Sequence, residues 1–168
     1  MKVLVAAASR HGSTEEISAV LAQVLRAAGF DVDRRRPEEV RDLADADAVV
    51  LGSAVYLGHW LRPALRFADR HHAALSTLPV WLFSTGPVGD PPRPAEDPAD
   101  IGELMRTTGA REHRLFAGRL DRARLGLAER VVTGMLRVPE GDYRDLDDVR
   151  TWAASIASSI RAGSRQGL

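Results

Sequence analysis

Directly behind the first apolar run of the chain stand Ser9-Arg10-His11-Gly12-Ser13-Thr14, which open into a segment of helical period beginning at Ile17. Three hydroxyls, one cation, a glycine and the free amides of a helix N-terminus are what a phosphate dianion requires, because orphan N–H groups and the helix dipole point at one place. The same residues also suit plain capping, with Ser13 or Thr14 as N-cap and Glu16 following as in a capping box. A second small-residue segment, Gly52-Ser53-Ala54-Val55-Tyr56-Leu57-Gly58-His59-Trp60, follows a later apolar run. Its glycines bracket an aromatic, which suits a flat ring approached by backbone and covered by Tyr56; His59 is a further ring candidate, and Trp60 reads as core. A third segment, Ser84-Thr85-Gly86-Pro87-Val88-Gly89, follows another run, so three loops converge on a pocket with a phosphate end and a flat-ring end.

Other anion-binding loops are excluded by the same residues. A dinucleotide fold needs three spaced glycines here and finds one, and a Walker loop ends in Gly-Lys whereas the only lysine is Lys2. A receiver domain would need acidic residues after the first and third strands and a lysine after the fifth, and has none of them. With no cysteine, disulfides, thiolate metal sites, thiol redox chemistry and cysteine nucleophiles all fall away, so redox work needs a borrowed cofactor.

The elements that position these loops follow from periodicity. Apolar runs at 3–8, 30–34, 48–52, 80–85 and 113–118 alternate with helical segments, the pattern of βα units on a parallel sheet, and the first, third and fourth runs are apolar enough to be central. Ile17, Val20, Leu21, Val24, Leu25 and Ala28 mark one helix face with Gly29 as its cap; Leu61 to Ala68 with Pro63, and Ile101 to Thr108 with Gly109, mark two more. Residues 122–137 and 146–161 complete the set, and 34–39 read as a polar connection with at most a short helix. In the common five-stranded topology, ligands sit beyond the carboxyl ends of strands one and three, where the order reverses. One domain over 1–162 is expected, with 163–168 as a frayed tail. Residues 86–98, with five prolines and two glycines, are expected to border the ring end of the pocket.

The loop Ser9, Gly12, Thr14 resembles the phosphate loop of the flavodoxin-like flavoproteins, with His11 replacing a usual hydroxyl. Arg10 after the first hydroxyl, and Gly58-His59-Trp60, make the resemblance closest to the menaquinone-dependent protoporphyrinogen oxidase branch, over residues 1 to about 120. The resemblance implies a three-layer α/β sandwich with a five-stranded parallel sheet in the order 2-1-3-4-5. It also implies FMN as cofactor, with its phosphate on Ser9, Arg10, Gly12, Ser13 and Thr14, and its ring flanked by residues 53–58 and 84–89. An oxidoreductase acting with a quinone or a porphyrinogen is the activity implied. A non-enzymatic carrier that passes electrons to a protein is the alternative, and a deazaflavin coenzyme, whose polyanionic tail would engage Arg10 and His11, is an alternative cofactor.

Twenty-three basic residues balance 23 acidic ones, so no global field favours nucleic acid or an anionic membrane, and the balance counts against a carrier of the usual strongly acidic type. No run reaches the roughly 20 apolar residues of a membrane span, and no basic leader precedes the first strand; a cytoplasmic protein is expected. His71 and His72 lack carboxylates at ligand spacing, so no metal is expected, and Arg34-Arg35-Arg36 read as a solvated connection. Arginines interleaved with leucines and valines from 119 to 138 suit core packing with arginines outside, or peripheral membrane contact.

Overall fold

A computed structural model of the chain describes residues 1–86, 96–120, 126 and 140–166. Five parallel strands form the sheet: β1 (Lys2–Ala8), β2 (Asp31–Arg35), β3 (Ala48–Tyr56), β5 (Val80–Thr85) and β6 (Glu112–Phe116), in spatial order β2-β1-β3-β5-β6. Counting parallel strands alone, this is the expected 2-1-3-4-5. A short strand β4 (His59–Trp60) folds back antiparallel on β3, and β7 (Arg119–Leu120) pairs antiparallel with β8 (Gly141–Asp142).

Because the side chains of a strand alternate, β1 feeds two cores. Val3, Val5 and Ala7 join a cluster with Leu21 and Leu25 of helix α1 (Ser13–Ala27) and Trp152 and Ile156 of helix α5 (Leu146–Gln166). Leu4, Ala6 and Ala8 join one with Phe67 of α2 (Arg62–Arg70), Leu75 of α3 (His72–Leu75) and Leu104 of α4 (Ile101–Thr108). The three most apolar strands are thus central, and β2 and β6 are the edges.

Local signals are read with few changes. Gly29 (φ 89°) ends α1 in a Schellman motif, Phe30 N–H donating to the Leu25 carbonyl and Gly29 N–H to that of Arg26. Asp145 caps α5, its Oδ1 accepting from the amides of Asp147 and Asp148. Two expectations change. α5 continues to Gln166, so 163–166 are helical rather than frayed, and Arg161 anchors that end by donating to the Ala28 carbonyl of α1. β3 runs four residues past Gly52, so the first part of the expected loop is strand, because Ala54 pairs with Thr85 and Tyr56 with His59. The expected helix at 122–137 and residues 87–95 lie outside the described residues, and with them the expected ring-side wall. Among the described residues, no helix is long and apolar enough to cross a membrane.

Gly52 sits where β3 crosses the fully buried ring of Phe83, and a Cβ there would lie 2.1 Å from that ring. Phe83 is fixed by Phe116 and Trp152, with ring centroids 6.3 and 6.2 Å away. Gly52→Ala is therefore expected to destabilise the protein by about 3 kcal/mol through overpacking; an unchanged denaturant midpoint would contradict this account of the core.

Candidate functional site

The β1–α1 turn depends on Gly12, which takes φ 87° and serves as N-cap itself. Neither Ser13 nor Thr14 caps the helix, and Glu16 forms no capping box: Ser9 Oγ accepts instead from Gly12 N–H at 3.0 Å. The amides of Ser13, Thr14 and Glu15, in the first turn of α1, have no intrahelical partner by construction and face the carboxyl edge of the sheet. Among the described residues, Ser13 Oγ is buried with no hydrogen-bond partner, an orphan donor that an anion on those amides would satisfy. Thr14 is buried and shares a 2.6 Å hydrogen bond with Thr85 Oγ1 at the end of β5. Its hydroxyl keeps a proton for a ligand only when Thr85 is the donor of that pair. Half-buried His11 sits on the same turn.

At the other end, β3 and β4 form a two-residue hairpin in which Leu57 (φ 49°) and Gly58 (φ 79°) both take positive φ, the requirement of a type I′ turn. Leu57 is one of two large exposed hydrophobic residues among those described, and Tyr56 beside it is half-buried. The Arg10 guanidinium lies over the Tyr56 ring, 4.7 Å from its centre, so Arg10 links the β1–α1 turn to the hairpin. Ala54 and Val55 are half-buried, and Gly86 packs so close to Val55 that a Cβ would lie 3.0 Å from it. Ser53, expected at the ring, spends its hydroxyl on the hairpin backbone, donating to the Ala54 carbonyl and accepting from Leu61 N–H. Pro87, Val88 and Gly89 lie outside the described residues.

Ser84, also expected at the ring, is fully buried in a polar chain instead. Trp60 Nε1–H donates to Ser84 Oγ at 2.7 Å, Ser84 Oγ lies 2.8 Å from His113 Nε2, and the Asp97 carboxylate lies 3.3 Å from His113 Nδ1. Burial, only partly offset by Asp97, holds the His113 pKa below its ordinary value. His59 reaches Asp100 rather than a ring position, and Trp60 is core, as its type suggests.

Two charged features flank the loop. A cleft of about 660 Å³ beside it is lined by Ser9, Arg10 and Gly12 and also by Arg34, Arg35 and Arg36, so the arginine run is exposed as expected yet borders the site. Behind α1, Arg144 makes a forked contact with Asp142 at 2.7 and 2.6 Å and reaches Glu16 at 2.5 Å, and Arg119 adds a second cation to Glu16 at 3.0 Å. Arg144 holds the carboxyls of Glu16 and Asp142 below their ordinary values, and those carboxylates raise its own pKa.

This combination is that of a doubly wound α/β protein, with the first-turn amides of α1 at the end of the first strand and a second wall at the end of the third. The chain belongs to the family described as the Flavodoxin domain, whose model matches residues 4–147, and that fold implies a flavin cofactor. Protoporphyrinogen IX dehydrogenase [quinone] of Escherichia coli is 28% identical over 94 residues, 55% of this chain and 52% of that protein; the chain thus matches about half the length of this curated relative. A flavodoxin from the domain Archaea shares the fold with a TM-score of 0.68 at 19% identity, over 96% of this chain and 99% of that one. Rubredoxin oxygen:oxidoreductase of Desulfovibrio gigas gives 0.67 at 17%, over 96% of this chain and 36% of that one.

Sequence reading brought the loop residues together but missed His113, Asp97 and the Arg144 cluster. A histidine opening the run at 113–118 was the available signal for the first, weakened by its neighbours Glu112 and Arg114; the partners of the second are distant in sequence and gave none.

The Arg144 guanidinium is nearly enclosed, while its carboxylate partners are about half exposed. Its loss falls between the cost of an exposed and a buried ion pair, and Arg144→Ala is expected to destabilise by about 1–2 kcal/mol at neutral pH. Depressed carboxyl pKa values contribute stability above the ordinary values of 4.5 and 3.8 that is lost as pH falls through the folded-state values. The gap between wild type and variant should therefore close in acid. A gap that stays constant down to about pH 2 in urea titrations would contradict the assignment.

Proposed function

We propose that the chain binds FMN and is an oxidoreductase acting with a quinone or a porphyrinogen. The observation that carries the cofactor reading is the orphan Ser13 hydroxyl among the first-turn amides of α1, a donor set made for a phosphate dianion. Ser9, Arg10, His11, Gly12, Ser13 and Thr14 would hold the phosphate, with residues 54–58 and 85–89 at the ring. FMN supplies hydride or single-electron transfer when bound. The chain's part is to bind and orient: amides fix the phosphate, Gly12 allows the turn, Tyr56 offers an aromatic face, and the hairpin limits water at the ring. The substrate class is supported by the activity that names the Escherichia coli relative and by the loop features that resemble that branch. The balance of 23 basic and 23 acidic residues favours an enzyme over a carrier that docks by a strong acidic field.

The cofactor reading is tested by titrating FMN and riboflavin against wild type and Ser13→Ala. A charge-assisted hydrogen bond contributes roughly 1.5–3 kcal/mol, so the variant should lose about ten- to a hundredfold for FMN and nothing for riboflavin. Its thermal stability should hold or rise, since an orphan buried hydroxyl is removed. Equal affinity of the wild type for both flavins would end the phosphate-loop assignment. Turnover of menaquinone analogues and of protoporphyrinogen IX by the flavin-loaded protein tests the substrate class, and turnover of neither would move the reading to the electron carrier.

A further inference from the structure

The hydrogen-bonding valence of the Trp60–Ser84–His113 chain fixes its direction. Trp60 Nε1 can only donate, so it takes one acceptor site of Ser84 Oγ, and the buried Ser84 hydroxyl finds its acceptor in His113 Nε2. Nε2 is then bare, and the imidazole proton sits on Nδ1, beside Asp97. Trp60 is the base of the hairpin that carries Tyr56 and Leu57 at its tip. Its own N–H donates to Asp100 at 2.8 Å, and Ala99 N–H donates to the Gly58 carbonyl at 2.9 Å. One histidine on an edge strand thus joins β5, the hairpin and the segment leading into α4.

We propose that His113 is a positioning residue for the ring end of the flavin pocket, holding the Tyr56 hairpin in place through Ser84 and Trp60 while it is neutral. The inference rests on the reading that a flavin ring lies against that hairpin. A proton added at Nε2 turns that nitrogen into a second donor toward Ser84; the hydroxyl must rotate to accept from both Nε2 and Trp60 Nε1, which leaves its own proton buried without an acceptor and destabilises the chain that holds Trp60. The charged groups around His113 among the described residues are few. Asp97 faces Nδ1; Asp100 and His59 lie beyond Trp60, 3.3 Å from one another; β5 contributes only Ser84; and along β6 itself Glu112 and Arg114 flank it, with Arg114 bonded to Asp148 of α5 at 2.7 Å. Asp97 alone favours the protonated ring, and it is mostly exposed.

The first measurement uses the cofactor-free full chain. Imidazole ¹⁵N NMR at neutral pH should show His113 with Nδ1 protonated and Nε2 bare, and the opposite tautomer would overturn the proposal. The second titrates riboflavin, which reports the ring end alone, from about pH 8 to about pH 4.5, so that the range runs well below the ordinary imidazole value. Wild-type affinity should fall severalfold on acidification. His113→Gln keeps an uncharged acceptor toward Ser84 and should match wild type at neutral pH with a flat profile. His113→Leu, which strands the Ser84 hydroxyl, should bind about tenfold more weakly throughout; should it not fold, the glutamine variant carries the test. His59→Gln in each background removes the imidazole of the hairpin itself, so that any remaining slope belongs to His113. Riboflavin binding with the same pH slope in wild type and His113→Gln would overturn the role of His113 and leave the flavin reading intact. Absence of flavin binding by wild type at every pH would overturn both.

Discussion

A single backbone conformation, the left-handed turn at Gly12, organises the site. It lets β1 pass into α1 within a few residues, so that the free amides of the helix rise above the carboxyl edge of the sheet rather than beside it. A residue with a Cβ is strained at φ 87°, and a wider turn would carry the first helical amides away from the sheet edge. The remaining elements maintain that arrangement. Ser9 closes the turn from inside, the Thr14–Thr85 bond ties the helix start to the fourth parallel strand, and Glu16 ties it to Arg144 and Arg119 around the β7–β8 pair.

The two ends of the pocket are built from different materials. The loop end is framed by backbone amides and a helix terminus, which neither titrate nor change rotamer, with hydroxyls, Arg10 and His11 added around them. The hairpin end hangs on side chains: Ser53 on the Leu61 amide, Asp100 on Trp60, and the Trp60–Ser84–His113 chain. An interaction made of backbone holds its geometry whatever the pH, whereas one made through an imidazole holds it in one protonation state only. Arg10 spans the two ends, since it sits on the loop and covers one face of Tyr56.

Elements whose identity rests on local pattern were legible in the sequence, and those resting on distant pairing were not. The runs at 3–8, 48–52 and 80–85 are apolar on both faces because helices cover both faces of β1, β3 and β5, and their centrality follows from composition alone. The Gly29 cap was legible because glycine is nearly alone in taking that conformation without strain. The end of β3 was not, because Gly52-Ser53-Ala54 reads as a turn by composition while pairing with β5 and β4 makes it strand. For the same reason Ser53 and Ser84 were placed at the ring. A serine near the end of a strand can point to ligand or core, and only the positions of Leu61, Trp60 and His113 decide that it points inward.

The polar chain in the second core also explains why that core tolerates its serines. Ser84 and Trp60 both bring hydrogen-bonding atoms into a cluster otherwise made of residues such as Leu82, Phe67 and Leu104, where an unsatisfied hydroxyl or indole N–H costs about 1–3 kcal/mol. Ser84 Oγ satisfies the indole N–H of Trp60, and the Ser84 hydroxyl in turn needs an acceptor at the end of the chain that is not itself a donor in the same direction. A neutral imidazole meets that need, and an edge strand is the place for it, since the far nitrogen can then meet the half-solvated Asp97 instead of more core. A serine in that position would meet the same donor at Ser84 but could not reach Asp97, and a lysine could only donate. The imidazole thus satisfies the buried chain on one side and faces a carboxylate at the surface on the other.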